Sequence, residues 1–421
     1  MEEREKVVTA SVYDGSENYY EESLRELNAL VKVAGGHVVA SMEQKVRAFN
    51  PATLMGKGKL EELKDFVRAE EVDLVIFDQS LSGIQMREIE KVLEVDVLDR
   101  TALILDIFAS RAKTDVGKLQ VYLAQLEYGK SHLIGKKNYS RLGGGIGTRG
   151  PGEQKLEIDR RRISGDIQRV KKKLKQARKI RDTGRKNRIH SQVPAIALVG
   201  YTNAGKSSVM NRLLRESNAK GREVYVEDMP FASLDPDTRR IRLPDGLVVY
   251  VTDTVGFISN LPTTLVEAFH TTLEELRESD LIVHVIDGSQ EDASLRYETT
   301  RKLLNDLGAA DVPSLLFVNK KDLMEGKKLP FMPAEETVIY GSCKHDREFD
   351  YFYEAVQKKV EGLYVKVDLK FTFHEMDRVE AIKANYPVER LEYDADGVCM
   401  TATLPKRAYD RMKAYVRRRY V

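Results

Sequence analysis

The feature of the sequence that most constrains its fold is a glycine-containing loop between an apolar run and a helical pattern. The loop is GYTNAGKS, Gly200 to Ser207, with AIALV before it and SSVMNRLLRE after it. It fits G-x-x-x-x-G-K-[ST], in which backbone N–H groups converge on phosphate oxygens and the helix N-terminus adds a favourable dipole. The pattern predicts a strand–loop–helix unit of an α/β domain that binds a nucleoside triphosphate.

Two side chains of this loop and a second motif are candidates for phosphate and metal contacts. Lys206 is expected to neutralise the β- and γ-phosphates, and the Ser207 hydroxyl to ligate Mg²⁺. The motif DTVG, Asp253 to Gly256, ends the apolar run LVVYVT. Asp253 is placed to hold Mg²⁺ through water, and the Gly256 amide can approach the γ-phosphate with no side chain in the way. Ser233, in the intervening MPFASLDPDTRR, is the candidate for a second hydroxyl on Mg²⁺.

The motif NKKD, Asn319 to Asp322, follows the apolar run SLLFV and indicates which base is bound. Guanine presents two adjacent donors, N1–H and the 2-amino group, and the Asp322 carboxylate can accept from both. Adenine presents neither, so a site built on this hydrogen bond rejects it strongly. The loop GSC, Gly341 to Cys343, is expected beside the base. Taken alone, NKKD could be a polar turn after a strand. That alternative does not explain why the P-loop, DTVG, NKKD and GSC occur in the order required for GTP binding and hydrolysis.

Charge and cysteine content bound the remaining possibilities. Of 421 residues, 68 are basic and 66 acidic, yet residues 160–190 contain fourteen Lys or Arg and only two acids, so a polyanionic partner for this segment is indicated. The two cysteines, Cys343 and Cys399, have no metal-ligand or disulfide spacing. No secretory signal or membrane-length apolar run is visible. We therefore expect a cytoplasmic, soluble protein.

Alternation of strand and helix patterns predicts an overall α/β fold in four parts. Residues 1–113 are expected to form an N-terminal α/β domain, residues 193–362 a P-loop GTPase domain with a Ras-like parallel sheet, and residues 363–421 a small α+β domain. Within the last part we expect the strand VDLKFTF, the helix MDRVEAIKAN, a hairpin around Asp396-Gly397, and a final helix that includes Arg417 to Arg419.

Between these domains, residues 114–190 are predicted to form a basic antiparallel helical hairpin. Val116, Leu119, Leu123 and Leu126 step by three and four residues, and a similar series runs from Ile163 to Ala177. Such steps keep one narrow apolar stripe, as in the seam of a coiled coil. The Lys- and Arg-rich returning arm is interpreted as a surface for RNA phosphates, with a solvated helix face as the alternative.

The tip of this hairpin, SRLGGGIGTRGPGEQ, contains G-x-G-x-x-G at Gly145 to Gly150. A dinucleotide site requires a strand before the glycines and a helix opening on them, and GKKNYSRL shows no strand pattern. Two interpretations remain: a flexible loop, or a bare backbone with Arg141 and Arg149 that lies close against a large partner.

Taken together, these motifs make the chain resemble the bacterial HflX-type GTPases, a family related to the translation factors. The resemblance is carried by GKGKLEEL, RGPGEQKLEIDRRR, GYTNAGKSS, FASLDPDTRR and DTVGFISNLP. It implies binding to the large (50S) ribosomal subunit and its rRNA, with no DNA partner, and a role in splitting or rescuing stalled ribosomes under stress. It also implies that the hairpin tip reaches toward the peptidyl-transferase region.

Carried onto this chain, the motifs imply the following site residues. The catalytic candidates are Lys206 and Gly256, and the magnesium ligands are Ser207 and Ser233. The nucleotide contacts are Gly200, Tyr201, Thr202, Asn203, Ala204, Gly205, Lys206, Ser207, Phe231, Ala232, Ser233, Leu234, Asp235, Asp253, Thr254, Val255, Gly256, Asn319, Lys320, Lys321, Asp322, Ser342, Cys343 and Lys344. The RNA contacts are Arg141, Arg149, Arg160, Arg161, Arg162, Lys171, Lys172 and Lys173.

One departure bears on mechanism. In many GTPases a Gln that follows the glycine of the DTVG-type motif orients the attacking water. In this chain the residue after Gly256 is Phe257. A phenyl ring cannot hold water by a hydrogen bond, so we expect slow intrinsic turnover that ribosomes stimulate by completing the site. The alternative is that another side chain, from the N-terminal half, fills this role. Separately, we expect the protein to be a monomer. The alternative hypothesis for the function is an RNA-binding or ribosome-binding scaffold that senses guanine nucleotide with little turnover.

Overall fold

The computed structural model of the chain describes eleven stretches of residues: 5–15, 20–133, 158–177, 193–216, 237–243, 246–254, 256–257, 276–326, 328–329, 331 and 337–420. Those up to residue 177 belong to one compact unit and those from residue 193 onward to a second. Across these stretches the chain forms three β-sheets with helices packed on them, which confirms the mixed α/β fold class. None of the helices in this part of the chain is long and apolar enough to cross a lipid bilayer.

The first sheet is parallel and has the strand order β2-β1-β3-β4. Its strands are β1 (Lys6–Tyr13), β2 (His37–Lys45), β3 (Leu74–Phe77) and β4 (Asp96–Asp99), and its helices are α1 (Tyr20–Val33), α2 (Lys57–Ala69), α3 (Gly83–Leu93) and α4 (Arg100–Arg111). The central strands β1 and β3 are apolar and almost wholly buried, as expected where helices cover both faces. This sheet fits the alternating pattern of the N-terminal segment.

A buried polar cluster lies where β3 and β4 of this sheet end. Arg100 is 2% exposed and donates to Asp78 at 2.6 Å, while Ser23 donates to the same carboxylate at 2.6 Å. Asp99 caps α4 and also accepts from the Tyr128 hydroxyl at 3.0 Å. Tyr128 belongs to α5 (Asp115–His132), so these contacts fix the first helix of the hairpin to the N-terminal sheet.

The predicted apolar seam of the hairpin is present. Helix α5 and the helical residues 158–177, here α6, meet along a cluster formed by both predicted series. Its members are Val116, Leu119, Leu123, Leu126, Ile163, Ile167, Val170 and Leu174. The hairpin tip, including the G-x-G-x-x-G stretch, lies outside the described residues.

The second sheet has the strand order β10-β9-β8-β5-β7-β6 and is parallel except for its edge strand β6. The strands are β5 (Ala195–Val199), β6 (Asp237–Arg242), β7 (Val248–Asp253), β8 (Leu281–Asp287), β9 (Ser314–Asn319) and β10 (Thr337–Tyr340). The helices are α7 (Lys206–Glu216), α8 (Ala293–Asp306) and α9 (Asp346–Glu361). Strand β6 falls in DTRRIR, where no strand was predicted.

The third sheet is antiparallel, with the order β12-β13-β11-β14. It comprises β11 (Tyr364–Phe371), α10 (Met376–Asn385), β12 (Val388–Asp394), β13 (Gly397–Pro405), α11 (Lys406–Met412) and β14 (Val416–Tyr420). The prediction that Arg417 to Arg419 lie in a final helix was wrong. The helix ends at Met412, and the arginines lie in β14, where pairing with β11 supplies backbone hydrogen bonds that a helix would otherwise supply.

Candidate functional site

The P-loop joins the buried strand β5 to α7, and its backbone conformation depends on glycine. Gly200 has φ +143°, and a Cβ atom there would lie 2.0 Å from the carbonyl oxygen of Val285 on β8. Gly205 has φ +98°, and a Cβ atom there would lie 2.2 Å from Nδ2 of Asn319. Because both positions combine a left-handed backbone with a close approach, a side chain at either would displace the loop.

Lys206, the first residue of α7, is held inside the loop. Its ammonium donates to the carbonyl oxygens of Gly200 at 3.0 Å and Tyr201 at 2.8 Å, and the side chain is buried. Burial lowers the pKa of Lys206 to about 8, and the charge of Asp253 opposes that shift. An anion in the loop would therefore meet a positioned cation at a helix N-terminus.

Ser207 and Asp253 form a pair beside Lys206. The Ser207 hydroxyl donates to Oδ2 of Asp253 at 2.5 Å, and Asp253 is fully buried. Burial raises the pKa of Asp253, with Lys206 and Ser207 acting in the opposite direction. The other oxygen, Oδ1, has no hydrogen-bond partner among the described residues. A buried carboxylate oxygen without a partner next to a hydroxyl fits a hard divalent cation such as Mg²⁺.

No cluster of three or more His, Cys, Asp or Glu side chains capable of holding a metal occurs in the described stretches. A cation at Ser207 and Asp253 would therefore need further oxygen ligands, such as phosphate and water, which is the usual situation for Mg²⁺.

The end of β7 lies directly against the P-loop. A Cβ atom on Gly256 would lie 2.7 Å from Cγ2 and 2.8 Å from Cα of Thr202, and 3.0 Å from Nζ of Lys206. The next residue, Phe257, pairs with the loop through its backbone, and its ring is buried. Thr254 is anchored to β5, since its hydroxyl donates to the carbonyl of Leu198 at 2.6 Å.

Asn319 links the P-loop to the base-side loops. Its Nδ2 donates to the carbonyl of Ala204 at 2.9 Å, and its Oδ1 accepts from the Cys343 amide at 3.2 Å. Lys320 is ion-paired with Asp287 at 2.8 Å. Asp322 follows in a short 3₁₀ turn and is exposed, so its carboxylate is open to a ligand. Within NKKD, the buried side-chain amide of Asn319 therefore holds loops together, whereas the exposed carboxylate of Asp322 is available to accept hydrogen bonds from a ligand.

The remaining loop is built around buried Ser342. Its hydroxyl accepts from the Lys344 amide at 3.2 Å, and burial raises the pKa of the neighbouring Cys343 thiol to about 12. The thiol is thus held in its unreactive protonated form. All four motifs follow the carboxyl ends of β5, β7, β9 and β10, the edge at which open parallel sheets bind ligands.

Three family models match the chain in succession. They are described as GTP-binding GTPase N-terminal over residues 21–109, GTP-binding GTPase Middle Region over 111–188, and 50S ribosome-binding GTPase over 195–320. A protein named GTPase HflX from Caldanaerobacter subterraneus subsp. tengcongensis is 41% identical over 98% of this chain and 94% of its own length. The chain belongs to the HflX family of GTPases.

Other HflX proteins give the same result. The GTPase HflX of Lacrimispora saccharolytica is 38% identical over 96% of this chain and 95% of its own length, and that of Escherichia coli K12 is 42% identical over 72% and 70%. A solved GTP-binding protein of Sulfolobus solfataricus in complex with GDP is 22% identical over 84% of this chain and 99% of its own, with a TM-score of 0.43. That structural likeness is weak.

Some predicted HflX site residues lie outside the described stretches. These are Phe231 to Asp235, including the candidate magnesium ligand Ser233, together with Val255, Arg141 and Arg149. The RNA-contact candidates that are described lie on α6, where Arg160, Arg161, Arg162, Lys171, Lys172 and Lys173 are exposed. Lys171 is paired with Glu127 at 2.8 Å, so its charge is partly engaged within the hairpin.

Two polar residues of β8, the strand beside the P-loop strand, were not among the predicted site residues. Asp287 holds Lys320 and accepts from the Ser289 hydroxyl at 2.6 Å. His284 is buried with neither ring nitrogen hydrogen-bonded among the described residues, and burial lowers its pKa to about 3. Asp287 could have been found as a carboxylate ending a strand beside the P-loop strand. His284 gave no such signal.

Proposed function

We propose that this HflX-family GTPase binds GTP with Mg²⁺ and uses binding and hydrolysis as a switch on the large ribosomal subunit, to split or rescue stalled ribosomes under stress. The proposal that the protein binds GTP rests on one observation: Lys206, Asp253 and Asn319 converge at one edge of the sheet. The exposed basic face of α6 supports the ribosomal half, because clustered Lys and Arg neutralise RNA phosphates.

The proposed nucleotide contacts are those named from the sequence, and each has a chemical role. Lys206 neutralises the phosphates, the Gly256 amide donates to the γ-phosphate, and Asp322 accepts from the guanine N1–H and 2-amino groups. Ser207, Asp253 and, by proposal, Ser233 would hold Mg²⁺, directly or through water; Mg²⁺ supplies further neutralisation of the phosphate oxygens. We also propose the four-part division 1–113, 114–190, 193–362 and 363–421. The successive family matches support the first three parts, and the separate antiparallel sheet supports the fourth.

Slow intrinsic turnover is part of the proposal. The ring of Phe257, the residue where many GTPases have Gln, is buried and offers no group that could orient water. We infer that the ribosome completes the site and stimulates hydrolysis, as in GTPases activated in trans. The same observation favours a second candidate function, a ribosome-binding scaffold that senses guanine nucleotide with little turnover.

The deciding measurement is GTP hydrolysis by the full chain, alone and with increasing large ribosomal subunits, at two salt concentrations. We expect strong stimulation that weakens at the higher salt concentration. Lys172→Ala/Lys173→Ala on α6 should reduce the stimulation, whereas Lys358→Ala/Lys359→Ala, an equally exposed lysine pair on α9, should not. Stable subunit binding with no stimulation would favour the scaffold, and no binding at all would reject the ribosomal proposal.

A further inference from the structure

The C-terminal sheet separates charge between its two edge strands. Strand order puts β12 at one edge and β14 at the other. Strand β12 and the turn after it carry Glu389, Glu392, Asp394 and Asp396. At the opposite edge, β14 carries Arg417 to Arg419 and no acid. Residues 406–420 as a whole, which include α11, contain seven Lys or Arg and one acid, Asp410. The guanidinium of Arg419 on β14 lies over the ring of Tyr409 on α11, so the two elements adjoin there and bring basic residues of both together.

Two of these basic residues are already used inside the protein. Arg407 is ion-paired with Asp280 of the nucleotide-binding domain at 2.8 Å, and Lys413 with Asp410 at 2.7 Å. The other five are exposed and make no ion pair with the described residues. We call four of these the basic edge: Lys406, Arg417, Arg418 and Arg419. Arg411 is not included, because its charge acts on Tyr386 at the end of α10.

Tyrosine rings support part of the basic edge. The guanidinium of Arg418 lies 4.9 Å from the ring centroid of Tyr420, and that of Arg419 lies 5.3 Å from the ring of Tyr409. An arginine stacked on a ring is restrained but keeps its N–H groups free for hydrogen bonds. The planar guanidinium can donate two parallel hydrogen bonds to a phosphate, which a lysine cannot.

The open face of the same sheet is unsuited to the same partner. In RNA-binding sheets of comparable topology, aromatic residues of the central strands stack on bases. Here the outward residues of β11 and β13 are Lys366, Asp368, Lys370, Cys399, Thr401 and Thr403. The charges among them are engaged across strands: Lys366 with Glu389, Lys370 with Asp394 at 2.8 Å, and Asp368 with Thr401 at 2.7 Å. The central strands of this face therefore offer no stacking rings, and their charges are already engaged. Tyr420 and Arg418 of the edge strand β14 lie along its border.

We propose that the basic edge is a second RNA-binding surface of this protein, distinct from the hairpin, that contacts the phosphate backbone of structured RNA. That the RNA is ribosomal rests on the proposed function above. The Arg407–Asp280 ion pair and the buried hydrogen bond from the Tyr364 hydroxyl to the carbonyl of Val248 connect this domain to the nucleotide-binding domain. RNA held by the basic edge therefore anchors the domain that binds GTP.

The test uses the full chain and two charge-matched double variants. Lys406→Ala/Arg417→Ala removes two exposed cations of the basic edge that lie on no ring. Lys370→Ala/Arg390→Ala removes two cations from the open face, each ion-paired with an acid of β12, where exposed ion pairs contribute little to stability. The affinity for large ribosomal subunits, and separately for their deproteinised RNA, is measured over a series of salt concentrations.

For the basic-edge variant we expect an affinity loss of about fivefold to tenfold for both probes and a salt-dependence slope smaller by about 1.5. The open-face variant should match the wild type, and GTP affinity should be unchanged in both. An equal loss in the two variants, or no loss in either, overturns the proposal. A loss for whole subunits but not for deproteinised RNA overturns it in favour of an acidic ribosomal protein.

The same measurements separate this inference from the proposed function. If the wild type fails to bind subunits but binds RNA through the basic edge, the ribosomal function is rejected and the RNA surface stands. If it binds subunits equally well with and without the basic edge, the function stands and this surface is rejected. If the wild type binds neither probe, both are rejected.

Discussion

The backbone amide of Thr202 in the P-loop donates to the carbonyl oxygen of Phe257 at 2.8 Å, and the amide of Phe257 donates to Gly200 at 3.0 Å. The residue after DTVG is thus joined to the phosphate-binding loop through its backbone, while its ring is 2% exposed. Sequence comparison with other GTPases suggests a missing catalytic side chain at this position. In the structure the side chain of Phe257 points into the protein interior.

We predict that Phe257→Gln will not accelerate intrinsic GTP hydrolysis. Burying an amide without partners costs about 1–3 kcal/mol, to which the lost apolar burial adds. The variant should therefore unfold at a lower temperature than the wild type, with single-turnover hydrolysis no faster. Phe257→Leu serves as the control because it keeps an apolar side chain and should be destabilised less. Faster hydrolysis by the Gln variant at unchanged stability would mean that this side chain reaches the nucleotide.

Gly205→Ala should weaken guanine nucleotide binding by at least about tenfold. A Cβ atom at this position would lie 2.2 Å from Nδ2 of Asn319, so the alanine must disrupt the hydrogen bond from Asn319 to Ala204. The matched control is Gly58→Ala on α2, where a Cβ atom meets nothing within 4 Å. Isothermal titration with GDP should give wild-type affinity for the control. Equal affinities of all three proteins would show that the loop tolerates the methyl group.

Much of the fold could be predicted because its information is local. The strand AIALV, the P-loop and the helix after it each carry their own pattern, and helix α10 was located to the residue. The edge strands β6 and β14 were missed because DTRRIR and VRRRY lack apolar alternation. Charged side chains suit an edge strand exposed to water, and only pairing with β7 or β11 makes such a segment a strand.

For the site, the sequence indicated which residues belong together but not how they are held. NKKD marks Asn319 as a base-side residue, yet its position between the Ala204 carbonyl and the Cys343 amide depends on three separate loops meeting. The burial that lowers the pKa of Lys206 likewise arises from the packing of distant segments. Motif order supplies identities, whereas contacts and charge states require the tertiary structure.

Asp322→Asn should change base selectivity while leaving the fold intact. Asp322 is exposed, and its replacement removes the acceptor for both guanine donors, so GTP affinity should fall at least about a hundredfold. Xanthine has a carbonyl in place of the 2-amino group, to which the new amide can donate. Competition between GTP and xanthosine triphosphate for the variant measures this change in base preference. Thermal unfolding of the variant serves as the control for stability. If the variant kept its preference for GTP, Asp322 would not be the base-reading group.

The titration of Lys206 predicts a pH dependence of both nucleotide affinity and stability. Its pKa in the folded, nucleotide-free protein is about 8, below the ordinary 10.5 of lysine. Phosphate binding requires the ammonium form, so protonation must accompany binding once the pH exceeds about 8. At about pH 9 only a tenth of the side chains would be protonated beforehand, and GTP affinity should be about tenfold lower than at pH 7.

The stability of the nucleotide-free protein should rise with pH over the range in which its GTP affinity falls. Between about pH 8 and 10.5 the unfolded chain binds more protons at this residue than the folded chain does, so this contribution to the free energy of unfolding rises with pH. Melting temperatures of the nucleotide-free wild type and Lys206→Met, followed over this range, isolate the contribution, because methionine does not titrate. The difference in stability between wild type and variant should shift in favour of the wild type as the pH rises above 8. A difference that stayed constant would mean that Lys206 keeps an ordinary lysine pKa in the folded protein.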